Sequence, residues 1–128
     1  MSPEPPKPTN AELEILTVLW GLGPATVRDV YGVISQRRSA QYSTVLKFMQ
    51  IMSEKGLVRR DETQRAHVYE AARTREWTQR QLAGDLLERA FNGSAKALLV
   101  GALSARKASK TELAEMRKLL DEYRKGEK

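Results

Sequence analysis

The sequence has no cysteine and a single histidine, His67. Without cysteine there is no disulfide framework and no thiolate metal site, which suits a reducing compartment, the cytoplasm. One histidine with no second His and no Cys is too small a ligand set for zinc, so it reads as a wing or strand residue and no metal is expected. The same scarcity leaves no Ser-His-acid or Cys-His arrangement for nucleophilic catalysis. No glycine-rich loop is present to cradle a nucleotide phosphate. An enzyme or a cofactor-dependent protein is therefore not expected. No apolar run approaches the roughly 18 residues that span a bilayer. Proline is confined almost wholly to the first eight residues, MSPEPPKP, which hold four of the five. That stretch has no apolar segment of the secretory kind and is expected to be a disordered, extended tail over 1–8.

A chain of 128 residues accommodates one medium domain, or a small domain plus an assembly element. Its net charge of +6 is a mild sign of an anionic partner, and its distribution is sharper. Residues 1–27 carry Lys7 against Glu4, Glu12 and Glu14, residues 28–65 carry eight bases against four acids, and residues 66–128 hold the balance. The successive charges are −2, +4 and +4, densest in the middle segment.

Thr9-Asn10-Ala11-Glu12 has the form of a capping box and opens a helix over about 10–21. Leu13, Leu16 and Trp20 share one face with Ile15 and Leu19 beside them, and Gly21, Gly23 and Pro24 end the helix. Trp20 lies on that apolar stripe, which makes it a core anchor rather than a base-stacking platform. Ala25-Thr26-Val27 reads as a very short strand or an entry turn. A second helix over about 27–36 turns Val27, Val30, Tyr31 and Ile34 inward, and its Gly32 makes it depend on tertiary packing. Ser35 to Ala40 is a basic, polar connection.

The next helix, 41–55, carries Val45, Met49 and Met52 on one stripe with Leu46 beside them. Tyr42, Ser43, Thr44 and Lys47 stand at its N-terminal end on the polar side, and Gly56 supplies the stop. Two short helices joined by a polar turn, the second polar at its start, make a helix-turn-helix. Short hydroxyls and a long cation on the second helix suit a DNA major groove. Phe48 and Ile51 lie off the main stripe and are assigned to the wing side or a neighbouring helix. Beyond Gly56 the period changes. Residues 57–62 and 66–70 read as two strands around a polar tip, Thr63-Gln64-Arg65. A hairpin behind a helix-turn-helix is a winged helix. Arg37, Arg38, Arg60, Arg65 and His67 are then expected at the phosphate backbone, although charge on a hairpin edge also serves to discourage strand pairing.

From Thr74, a capping residue, the rest is helical. A helix over about 75–91 carries the stripe Leu82, Ala83, Leu86, Leu87, Ala90 and Phe91, and Asn92-Gly93-Ser94 breaks it. Residues 95–103, AKALLVGAL, are apolar nearly all round and demand cover on every side. Ser109-Lys110-Thr111-Glu112 opens a last helix with Leu113, Met116, Leu119, Leu120 and Tyr123 on one face, ending in a frayed basic segment, 124–128. Three such helices cannot bury that much apolar surface alone, so a homodimer is expected, doubling the DNA contacts. Its contact residues are Leu86, Leu87, Phe91, Leu98, Leu99, Leu103, Leu113, Met116 and Leu120. The alternative is that these helices fold back on the winged helix as a monomer. The expected division is a tail over 1–8, a winged-helix domain over 9–72 and a helical dimerisation domain over 73–128, mainly α with a small β-hairpin. A winged helix can also serve as a protein-interaction module without specific DNA binding.

The order of Glu12-Leu13-Glu14-Ile15-Leu16, Leu19-Trp20, Thr26-Val27-Arg28-Asp29-Val30, Tyr42-Ser43-Thr44-Val45, Glu54-Lys55-Gly56-Leu57-Val58 and Arg65-Ala66-His67-Val68-Tyr69 resembles the penicillinase-repressor family (BlaI/MecI type) over about residues 9–123. The resemblance implies a winged-helix DNA-binding domain, a C-terminal helical dimerisation domain and repression at a palindromic operator. It gives Ser43, Thr44 and Lys47 the base-reading role. It also implies relief of repression through cleavage by a membrane metalloprotease sensor. Members cut in this way carry an Asn-Phe bond in the segment matching about 98–104, which here reads LLVGALS, so the sensor would need a different bond. The paired C-terminal cysteines of copper-responsive relatives are absent, which excludes that signal in its known form.

Overall fold

The computed structural model describes residues 7–126. Most of the expected N-terminal tail (residues 1–6), and residues 127–128 of the expected frayed end, lie outside that range. The described residues form two compact units, divided between Leu82 and Ala83.

In the first unit, α1 (Asn10–Leu22) begins at the capping box read from the sequence. Thr9 accepts from the Glu12 N–H and the Glu12 carboxylate accepts from the Thr9 N–H. Gly23, at φ 81°, ends it. Helix α2 (Val27–Arg37) opens on a second reciprocal cap, Thr26 with Asp29. Its last turn includes Arg37, one residue beyond the expected end. Helix α3 (Tyr42–Lys55) stops at Gly56 in the left-handed region, where a side chain would be strained.

The wing is an antiparallel hairpin of β1 (Val58–Asp61) and β2 (Val68–Ala71), with Arg60 opposite Tyr69. Its strands are shorter than expected and its tip correspondingly longer, 62–67. The Asp61 carboxylate accepts from the Thr63 N–H and hydroxyl and closes the start of that tip; Thr63's donation lowers the Asp61 pKa. Ala25, left open between strand and turn, forms a one-residue bridge to Tyr69 through bonds of 2.9 and 2.8 Å. The wing is thereby fastened to the entry of α2.

The core of this unit draws on α1, α2, α3 and both strands: Ile15, Leu16, Val18 and Leu19, then Val27, Val30 and Ile34, then Val45, Met49 and Met52, closed by Val58 and Tyr69. Trp20 is half-buried against it, and its indole N–H donates to the Arg73 carbonyl at 3.0 Å. Phe48, half-buried, packs on the same core and lines a cleft with Ala11, Ile15 and Ile34. That resolves its off-stripe position: it covers the side of α3 turned to a neighbouring helix.

Glu12 is 1% exposed, and the Lys55 ammonium donates to its two oxygens at 3.1 and 2.8 Å. Burial raises its pKa, but the bonds from Lys55 and Thr9 outweigh burial and hold the carboxyl below its ordinary value. The pair ties the first turn of α1 to the last of α3. Helix α4 (Arg75–Phe91) starts at Thr74, whose hydroxyl accepts from the Trp77 N–H. Its first half, through Thr78 and Leu82, belongs to the first unit.

The second unit holds the rest of α4, then α5 (Ala95–Ala105) and α6 (Lys110–Gly126). Asn92 and Gly93 take positive φ and reverse the chain, and Ser94 caps α5. A Cβ added at Gly101 would stand 3.4 Å from the Phe91 ring, an ordinary van der Waals contact, so α5 passes beside the end of α4 there. Ser109 accepts from the Glu112 N–H to start α6. The expected fraying from Arg124 is not seen within the described residues, where α6 continues through Gly126.

Candidate nucleic-acid interface

Helices α2 and α3 pack through Val30, Ile34, Val45 and Met49, all at most 3% exposed. With its apolar stripe pinned, α3 shows its other face outward. Tyr42, Ser43, Thr44 and Lys47 are all exposed. Gln50, which sequence reasoning missed, is exposed too and lies one turn beyond Lys47. Its spacing from Ser43 and Lys47, seven and three residues, was the available signal. A glutamine there suits the bidentate edge of adenine.

The start of α3 differs from those of α1 and α2, which each carry a hydroxyl cap and a first-turn carboxylate. At α3 the cap residue is Gln41, with no side-chain capping bond, and the first turn has no acid. The positive end of the helix dipole is therefore left uncompensated beside the polar face, which favours an anionic neighbour.

Around this end lie further bases. Arg28, in the first turn of α2, places its guanidinium 5.6 Å from the centroid of the Tyr42 ring. Tyr31 meets the same ring edge-to-face at a centroid distance of 5.7 Å. Arg28 was not singled out from the sequence because the link to Tyr42 is tertiary.

The expected phosphate ligands divide into two groups. Arg37, Arg65 and His67 are exposed, the last two on the wing tip. Arg38 and Arg60 are engaged within the protein. Arg38 clasps Glu14 with Nη2 to Oε1 at 2.6 Å and Nε to both oxygens at 3.2 and 3.3 Å. That clasp holds the Glu14 carboxyl below its ordinary pKa. Arg60 pairs with Glu62, Nη2 to Oε1 at 2.7 Å, and stands opposite Tyr69 in the hairpin. A phosphate would have to draw either guanidinium from these partners.

In the second unit none of the expected contact residues is fully buried. Leu86, Leu99, Leu103, Leu113 and Leu120 are exposed, and Leu87, Phe91, Leu98 and Met116 half-buried. Among the described residues, no helix is long and apolar enough to cross a membrane. No group of three or more His, Cys, Asp or Glu is gathered among them for a metal.

The family model for the penicillinase repressor matches residues 8–122. Two curated relatives, each described as "Transcriptional regulator BlaI", come from the CDC 1551 and H37Rv strains of Mycobacterium tuberculosis. Each is 34% identical over 93 residues, covering 71% of this chain and 67% of the relative. The chain belongs to the penicillinase repressor family.

Proposed function

We propose that the protein is a cytoplasmic transcriptional repressor that binds a palindromic DNA operator as a homodimer. The observation that carries this reading is α3. Its apolar side is sealed in the core while its polar side and uncapped N-terminus face outward. Each subunit presents Tyr42, Ser43, Thr44 and Lys47 to a major groove, with half-site centres about one helical turn, or a multiple of it, apart. Arg37, Arg65 and His67 hold phosphates directly. Arg38 and Arg60 join them by exchanging a carboxylate partner for a phosphate, a swap between charge-assisted bonds of similar kind.

Residues 9–72 form the DNA-binding part and 73–128 the assembly part, with α4 running from one compact unit into the other. Dimerisation covers the apolar faces of α4, α5 and α6. A membrane protease sensor remains a partner only if it accepts a bond other than Asn-Phe, since residues 98–104 are LLVGALS within α5.

A gel-shift series tests the reading face. Lys47→Ala is expected to lower discrimination among operator variants by about 1–3 kcal/mol at the base it reads. Unchanged affinity and preference would remove Lys47 from that face. Weak binding indifferent to sequence at physiological salt would instead mark the winged helix as a protein-interaction module.

A further inference from the structure

Tyr42 is the first residue of α3 and 40% exposed. A side chain at that position has no preceding helical turn to pack against, so on α3 alone its ring would sample several rotamers. A ring that samples rotamers reads a base edge poorly, because ordering it on binding costs entropy. The structure supplies the missing contacts from α2. Tyr31 and Arg28 stand three residues apart on that helix and so share a face. Tyr31 meets the Tyr42 ring at an interplanar angle of 77°, a favoured aromatic arrangement. The Arg28 guanidinium lies within cation–π range of the same ring. Two residues of α2 thus fix one residue of α3, across the turn of the helix-turn-helix.

We infer that Tyr31 and Arg28 are positioning residues for the Tyr42 ring and set specificity at the operator position that ring meets. The inference rests on the groove reading proposed above. Tyr31 acts only through the ring. Arg28 acts through the ring and, being exposed beside the open end of α3, also adds a positive charge for a phosphate.

The test is a gel-shift panel with the full chain, reading the ratio of affinities for an operator and for its single-base-pair variants. Tyr42→Leu first identifies the position at which discrimination is lost. Tyr31→Leu is expected to lower discrimination at that same position by roughly two- to tenfold, the strength of one aromatic pair, and to spare the other positions. Tyr31→Phe keeps the ring edge and restores the preference. Arg28→Lys keeps the charge but not the planar group, and shows the same position-specific loss. In a Tyr42→Leu background neither substitution has a further effect on the ratio.

Tyr31 also packs against the core, so thermal melting is followed alongside. A loss of folded protein alone lowers binding to every DNA equally and leaves the ratio unmoved. The inference is overturned if Tyr31→Leu and Arg28→Lys leave the ratio unchanged at the Tyr42 position. It is equally overturned if their effects persist without the Tyr42 ring. If the unsubstituted chain shows no base preference, or Tyr42→Leu changes no position, the groove reading of that ring fails first and takes this inference with it.

Discussion

The two compact units use apolar residues in opposite ways. Among the described residues every buried one precedes Ala83. Among the described residues the large exposed hydrophobics are distributed the other way: two, Leu22 and Tyr42, lie in the first unit, and eight, from Leu86 to Tyr123, in the second. The cause is architectural. In the first unit the apolar stripes of α1, α2 and α3 gather with Val58 and Tyr69 of the hairpin into one buried cluster, so each stripe finds another. In the second, a half-helix and two helices with unburied apolar faces have no fourth layer. Apolar content alone therefore does not make a core; it requires surfaces that can face one another. The first unit has a buried core of its own, and the second has none among the described residues.

The largest effect expected from this contrast is on assembly. Leu103→Glu combined with Leu120→Glu places charge on the exposed faces of α5 and α6. It is expected to convert the proposed dimer to a monomer in sedimentation. Operator affinity then falls by about 10²-fold or more, because the second half-site is no longer bound intramolecularly. The melting of the first unit stays unchanged. If the doubly substituted chain remains a dimer, the assembly surface lies elsewhere.

Met49→Ala probes the other side of the contrast. Met49 is 0% exposed, and truncating it is expected to cost about 2–5 kcal/mol of stability in denaturant unfolding. A cost below about 1 kcal/mol would mean that the core around α3 collapses freely.

A smaller effect is expected at Glu12. Glu12→Gln retains the capping geometry, which glutamine also supports, but removes the charge that Lys55 pairs with. The expected loss is about 1–2 kcal/mol at neutral pH, discounted because Lys55 is 35% exposed on its side chain. The pH dependence has a definite sign. Glu12 is held below its ordinary pKa, so its ionised form is the one the fold favours. Its contribution is full above the unfolded glutamate value, about 4.3, and is lost as pH falls through the depressed folded value. The stability difference between the unsubstituted chain and the Glu12→Gln variant should therefore shrink on acidification. A difference that is constant down to acid pH would assign the effect to packing rather than charge.

The smallest effect is expected at Arg65 on the wing tip. Arg65→Ala should weaken binding to all sequences similarly and flatten the salt dependence by about one unit of slope or less. A change confined to particular sequences would make Arg65 a base reader.

The first unit was largely legible in the sequence because its signals are local. The Thr9–Glu12 box, the Val45–Met49–Met52 stripe and Gly56 each act within one helix. Thr26 with Asp29 is equally local, but its shorter acid falls outside the T-x-x-E form. What stayed hidden was tertiary. Lys55 lies 43 residues from Glu12, and Arg38 lies 24 from Glu14. No period or spacing links such positions. The candidate interface was legible as a face, through Ser43, Thr44 and Lys47. It was not legible as a geometry, since the engagement of Arg38 and Arg60 and the setting of Tyr42 by Arg28 and Tyr31 depend on how helices cross. In the second unit the helices and their stripes could be read, but a stripe does not say what covers it.

In the proposed dimer α3 reads DNA in pairs, one from each subunit. The most direct measurement is selection of bound sites from random double-stranded DNA with the full chain. An inverted repeat is expected, its half-sites centred about one helical turn or a multiple apart. Enrichment of a single unsymmetrical half-site, or no enrichment at all, would contradict it.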